Sequence, residues 1–88
     1  MAKTRPAVIV SRDALNQRLD TVTVCPITTK LHPAWRTRVT VLAGQQPADV
    51  AVDQIRAISK RRLGRKLGAL TESEATAVRR LITEMYGE

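Results

Sequence analysis

Two short stretches place phosphate-binding side chains at the ends of strand-like runs. In Thr4-Arg5-Pro6-Ala7-Val8-Ile9-Val10-Ser11 an arginine stands directly before a proline and an apolar run; in Val24-Cys25-Pro26-Ile27-Thr28-Thr29 two threonines close a second one. A guanidinium gives bidentate hydrogen bonds to phosphate oxygens and keeps its charge. A hydroxyl adds a directed donor. An arginine and a hydroxyl delivered by neighbouring strands can hold a phosphodiester between them, and preorganised donors of this kind typically contribute about 3 kcal/mol each to a transition state. RNA cleavage fits such an inventory, because the 2′-hydroxyl is already the nucleophile. The protein has only to position the phosphodiester, move protons and stabilise the added negative charge. DNA lacks the internal nucleophile and escapes this route.

Other chemistries find little support. Asp49 and Asp53 are four apart, but the residues around them read as strand or turn, not as an acid–base pair. The single His32 and the single Cys25 do not make a metal site, and there is no glycine-rich phosphate loop. No metal and no cofactor is expected.

The composition points the same way. Eighty-eight residues with a net charge of +7 make one small domain, residues 1–88. Residues 1–66 hold 13 Lys/Arg against 4 Asp/Glu, whereas residues 67–88 hold 2 against 4. A basic body with a mildly acidic end suits a polyanionic partner. There is no Phe, one Trp and one Tyr, so the core must be aliphatic and thin. Burying more surface against a second copy would help, so a homodimer is expected. One cysteine allows no intrachain disulfide. Pro6–Val10 is too short for a signal sequence, and no stretch approaches the roughly 20 apolar residues of a membrane span. A cytoplasmic protein without a membrane partner is the expectation.

The elements that must position these residues follow from periodicity. Ala7–Ser11 reads as a strand, and Ser11–Asp20 as a loop with one helical turn. Thr21–Pro26 alternates Thr and Val at period two, with Pro26 expected to stop its ladder. Thr29–Thr37 has no period and reads as an exposed loop. Arg38–Leu42 alternates again; Ala43–Pro47 is a turn cluster. Val50–Ile58 fits neither period and is expected to be one strand with a bulge. Thr71-Glu72-Ser73-Glu74 is a capping box with Leu70 as staple. Ala75, Val78, Leu81, Ile82 and Met85 recur at helical spacing until Gly87. The short connections exclude parallel crossovers. The predicted class is mainly β with a C-terminal α-helix: a small SH3-like barrel or curled antiparallel sheet.

Arg5–Ser11, Cys25–Thr29 and Val52-Asp53-Gln54-Ile55-Arg56-Ala57-Ile58, in this order and spacing, resemble the MazF/PemK toxins of bacterial toxin–antitoxin systems (folded like CcdB), and Arg79-Arg80-Leu81-Ile82 strengthens the match. The resemblance implies an SH3-like barrel, a homodimer, and a sequence-specific, metal-independent endoribonuclease that cleaves single-stranded mRNA. It implies inhibition by a cognate antitoxin whose disordered tail occupies the RNA groove. It assigns catalysis to Arg5 and to Thr29, the second of the threonine pair. Members of that family normally begin with a Gly-Asp-Ile/Val-Trp strand and a glycine-rich loop ahead of the Arg-Pro pair. This chain begins at Met1-Ala2-Lys3-Thr4-Arg5, and the expectation is a barrel short of its first strand, with an open edge.

The residues around the pair have two readings each. Thr28 could orient the site. Lys30, His32 and Arg36 follow Thr29 and could grip RNA phosphates or form an ordinary solvated loop; His32 could also share proton transfer. Trp35 could stack on a base, but packing over the small core or a dimer seam is the favoured reading. Gln54 could buttress the site and touch RNA. Lys60–Lys66 is a solvated face or a peripheral RNA contact. Cys25 is a buried small apolar residue. The competing function is a non-catalytic SH3-like module that only binds nucleic acid or an antitoxin.

Overall fold

The computed structural model describes residues 6–87. Five strands and one long helix follow in chain order: β1 (Ala7–Ile9), a one-turn helix α1 (Asp13–Asn16), β2 (Thr21–Thr28), β3 (Arg38–Ala43), β4 (Gln46–Ala51), β5 (Arg56–Ser59) and α2 (Glu72–Tyr86). Short 3₁₀ turns occupy Val52–Gln54 and Lys60–Arg62. Every strand pair is antiparallel, and the sheet curls around β2, as the mainly β reading anticipates.

β2 is the axis of the sheet. On one side it pairs with β1 (Ala7↔Pro26, Val8↔Cys25, Ile9↔Val24). It also pairs with β5 over Thr21–Val24 and with β4 over Ile27–Thr28. β3 lies beyond β4 in a six-residue ladder. Between Val24↔Arg56 and Ile27↔Val50, three steps along β2 face six along the partner. The three extra residues are the turn Val52–Gln54. Val50–Ile58 is therefore two strands broken by a 3₁₀ turn, a larger interruption than the single bulge its sequence suggests. The same gap corrects the expectation for Pro26. β5 pairing ends at Val24 and β4 pairing begins at Ile27, so a proline without an N–H breaks no bond there. The ladder resumes, and β2 runs on to Thr28.

The turn cluster also shrinks. Ala43 pairs with Gln46, and only Gly44 and Gln45 form the loop, with φ of +59° and +74°. Positive φ at both central residues gives the two-residue hairpin geometry that matches strand twist. Gln46 and Pro47 belong to β4.

Valine dominates the core: Val41, Val50, Val52 and Val78 with Cys25, flanked by Val8, Ile27, Leu70, Leu81, Ile82 and Met85. The helical stripe of α2 meets the sheet there. Both ends of α2 are tied down. The capping box forms as its sequence predicts, and Glu74 does more than cap: Oε1 accepts from Thr71 N and Oε2 from Leu42 N of β3 at 2.8 Å. At the other end the Tyr86 hydroxyl donates to Val52 O at 3.0 Å. Gly87 is needed for closeness, since a Cβ there would sit 2.9 Å from Thr83 O. Among the described residues no helix is long and apolar enough to cross a membrane.

Candidate active site

β2 delivers the threonines. Thr28 is the last strand residue, half-buried and registered against Asp49 of β4. Its Oγ1 accepts from Lys30 N at 3.2 Å, a local bond that turns the chain out of the sheet. Thr29 stands at that bend, exposed beside the equally exposed Lys30. The start of β1 lies against the same end of β2: Pro6 O accepts from Ile27 N at 3.0 Å. Arg5 lies outside the described residues, one peptide bond before this Pro6.

The loop after Thr29 is irregular but fastened at both ends. Asp49, 1% exposed, accepts at Oδ2 from His32 N and at Oδ1 from the Thr40 hydroxyl, both at 2.9 Å. Trp35 N donates to His32 O, which brings the two rings into a stack 3.9 Å apart and nearly parallel. The guanidinium of Arg38 lies 4.7 Å from the Trp35 ring and donates from Nε to Asp53 Oδ1 at 2.7 Å. Val52 N donates to Thr37 O at the loop's far end. The result is a layered support of imidazole, indole, guanidinium and carboxylate beneath a loop that sequence periodicity leaves featureless.

The electrostatics follow from these contacts. Burial pushes the Asp53 carboxyl up, but hydrogen bonds from Arg38, from its own backbone and from Thr37, with the Arg38 charge, outweigh it and hold the group below its ordinary value. Burial, and after it the Asp53 charge, pushes the Cys25 thiol up to about 11, so it is no nucleophile.

The residues singled out by sequence separate into distinct places. Thr28, Thr29 and Lys30 share the bend. His32 is held by its backbone to Asp49 and by its ring to Trp35. Arg36 instead lines a shallow groove against α2, with Arg38, Glu72, Thr76 and Arg80. Gln54 is exposed at the end of the 3₁₀ turn that carries Asp53. Trp35 is half-exposed and lies outside the hydrophobic core, packing on His32 and Arg38, so the core-covering half of the packing reading does not hold. Asp49, Arg38 and Asp53 were not legible as site residues. The one local hint is an aspartate inside an apolar run, Ala48-Asp49-Val50-Ala51.

The chain matches the family described as PemK-like, MazF-like toxin of type II toxin–antitoxin system over residues 1–86. It is 35% identical over 86 residues to Endoribonuclease MazF3 of Mycobacterium tuberculosis, covering 96% of this chain and 84% of that protein. The M. tuberculosis toxin MazF-mt6 superposes with a TM-score of 0.81 at 33% identity, over 93% of this chain and 85% of the other. MazF in a MazE–MazF crystal structure from Deinococcus radiodurans gives a TM-score of 0.81 at 24% identity, over 96% and 83% of the two chains, a likeness of fold.

Proposed function

The chain belongs to the PemK-like, MazF-like toxin family of type II toxin–antitoxin systems and is an endoribonuclease toxin, and from that premise we propose that it cuts single-stranded mRNA at chosen sequences, without a metal ion, at the bend where β2 ends. The observation that carries this reading is the convergence of Pro6 with Ile27, which sets the chain segment after Arg5 beside Thr28 and Thr29.

The reaction is a transesterification. The 2′-oxygen attacks the adjacent phosphorus, the O2′–P bond forms and the P–O5′ bond breaks. The 2′-hydroxyl proton leaves to a base and the departing 5′-oxygen takes one up. The products are a 2′,3′-cyclic phosphate and a 5′-hydroxyl. In this scheme the Arg5 guanidinium balances the charge that builds on the non-bridging oxygens, and the Thr29 hydroxyl donates to one of them. Thr28, through its bond to Lys30 N, holds the bend in shape, and the Lys30 ammonium attracts the neighbouring phosphate. Arg36, His32 and Gln54 meet the flanking RNA in this scheme. Among the described residues no three of His, Cys, Asp and Glu cluster closely enough to hold a metal ion.

The working form is a homodimer acting in the cytoplasm and restrained by a cognate antitoxin. A core whose buried hydrophobic side chains, among the described residues, are no larger than valine, together with exposed Leu42, Leu63 and Leu67, leaves apolar surface that a second copy would cover.

The test is cleavage of a long unstructured RNA by Arg5→Ala and Thr29→Ala. Each removes one preorganised donor, worth about 3 kcal/mol, so each should slow the chemical step about 100-fold with an unchanged circular-dichroism spectrum. Parent-like cleavage by both variants would place the site elsewhere.

A further inference from the structure

The end of β2 opposite Thr28 gathers positive charge that the chemistry above does not use. Thr21 pairs with Ser59, and Lys60 N donates to Asp20 O at 2.9 Å. These contacts join the loop carrying Arg12 and Arg18 to the 3₁₀ turn carrying Lys60, Arg61 and Arg62. Five cations therefore meet two carboxylates, Asp13 and Asp20, at one pole of the molecule. Four of the five are exposed and Lys60 is half-exposed. Among the described residues the one ion pair is Arg38–Asp53, at the 3₁₀ turn beside the middle of β2. Arg61 is fixed by its backbone, whose N–H donates to Ser59 Oγ, so the turn holds its shape independently of the guanidiniums.

We propose that this pole is a second RNA contact, a phosphate-binding exosite that holds the substrate strand away from the cleavage bend. It rests on the endoribonuclease reading and adds to it a dependence on substrate length. Seven residue steps of β2 separate Thr21 from Thr28, about 23 Å at the rise of a strand. A short oligonucleotide seated at Thr29 does not reach the pole; a strand extended by several nucleotides does. The flanking phosphates of the same RNA are the fitting polyanion, because the strand is already bound at the far end of β2. The contact is electrostatic and without sequence preference.

The experiment uses two RNAs sharing one cleavage site, a minimal oligonucleotide and the same sequence extended by about 12 nucleotides on each side, the order of a single-strand binding module's footprint. Both carry 2′-deoxyribose at the cut position, so binding is read without cleavage. Arg61→Ala/Arg62→Ala should bind the extended RNA about tenfold more weakly than the parent does and the minimal RNA within about twofold. For the extended RNA its log K against log salt slope should be shallower by about 1.4, two phosphates' worth of released counterions. Equal losses on both lengths would reduce the pole to a general field. No loss on the extended RNA would overturn the exosite and return the cations to a solvated surface or a protein partner. If the double variant melts below the parent, Arg12→Gln/Arg18→Gln carries the same test from the other segment. Cleavage of the all-ribose minimal RNA by the parent reports separately on the endoribonuclease reading, so the two failures are distinguishable.

Discussion

Replacing Asp49 by alanine removes one acceptor and strands two donors. The carboxylate takes the His32 N–H and the Thr40 hydroxyl, each at 2.9 Å, and is 1% exposed, so water does not readily take its place. A buried donor left without a partner costs about 1–3 kcal/mol. Thr40 is exposed and its hydroxyl turns to solvent, which puts its share at the low end; the half-buried His32 carries most of the loss. The sum is about 2–4 kcal/mol, a large part of the roughly 5–15 kcal/mol that holds a domain of ordinary stability. Asparagine keeps the shape. Its amide oxygen accepts from His32 N and its NH₂ donates to the Thr40 oxygen, so Asp49→Asn should cost about 1 kcal/mol. Urea unfolding read by Trp35 fluorescence reports on this loop directly, since Trp35 is the single tryptophan. With a slope of about 1.5 kcal/mol per molar urea, Asp49→Ala should lower the midpoint by about 2 M and Asp49→Asn by less than about 1 M. An alanine variant that unfolds with the parent, or an asparagine variant as damaged as the alanine, would refute the claim that Asp49 fastens the loop by accepting these two bonds.

Cys25 is fully buried with its thiol pushed up to about 11, so iodoacetamide at pH 8 should label the native chain far more slowly than the urea-unfolded chain; equal rates would show that the core around β2 opens freely. Acid should destabilise the fold through Asp53 and Glu74: hydrogen bonds from the Thr71 and Leu42 backbone hold Glu74 low, and Arg38 and Thr37 hold Asp53 low. Folded-state values below the unfolded ones give stability that is present above about pH 4 and lost as pH falls through the folded values. Melting temperature should therefore drop between about pH 5 and pH 3, and Arg38→Gln should drop less steeply; a variant with the parent's acid profile would remove Asp53 from that account.

What could be read from the sequence was what local spacing decides. The capping box at Thr71–Glu74 and the stripe from Ala75 to Met85 are contained within one helix, and they define α2. Alternation did the same for the Thr–Val part of β2 and for β3. Residues 48–52 resisted because all five are buried, so neither period stands out and the 3₁₀ turn behind them is masked. Pro26 misled because its tolerance depends on a gap between two other strands. Asp49 was invisible for a like reason: its partners, His32 and Thr40, are 17 and 9 residues away and meet it only through β2–β4 and β3–β4 registers. Lys30, His32 and Arg36 look like one basic cluster in sequence, but the His32–Trp35 turn sends Arg36 to the α2 groove.

The central claim, metal-independent attack by the RNA's own 2′-hydroxyl, is tested most directly by the ends of the cut. The parent chain should cleave a long unstructured RNA in EDTA and leave 2′,3′-cyclic phosphate and 5′-hydroxyl termini. A single 2′-deoxy substitution at the cleavage position should abolish that cut alone. Cleavage that EDTA abolishes, or that persists past the 2′-deoxy position with 3′-hydroxyl ends, would contradict it.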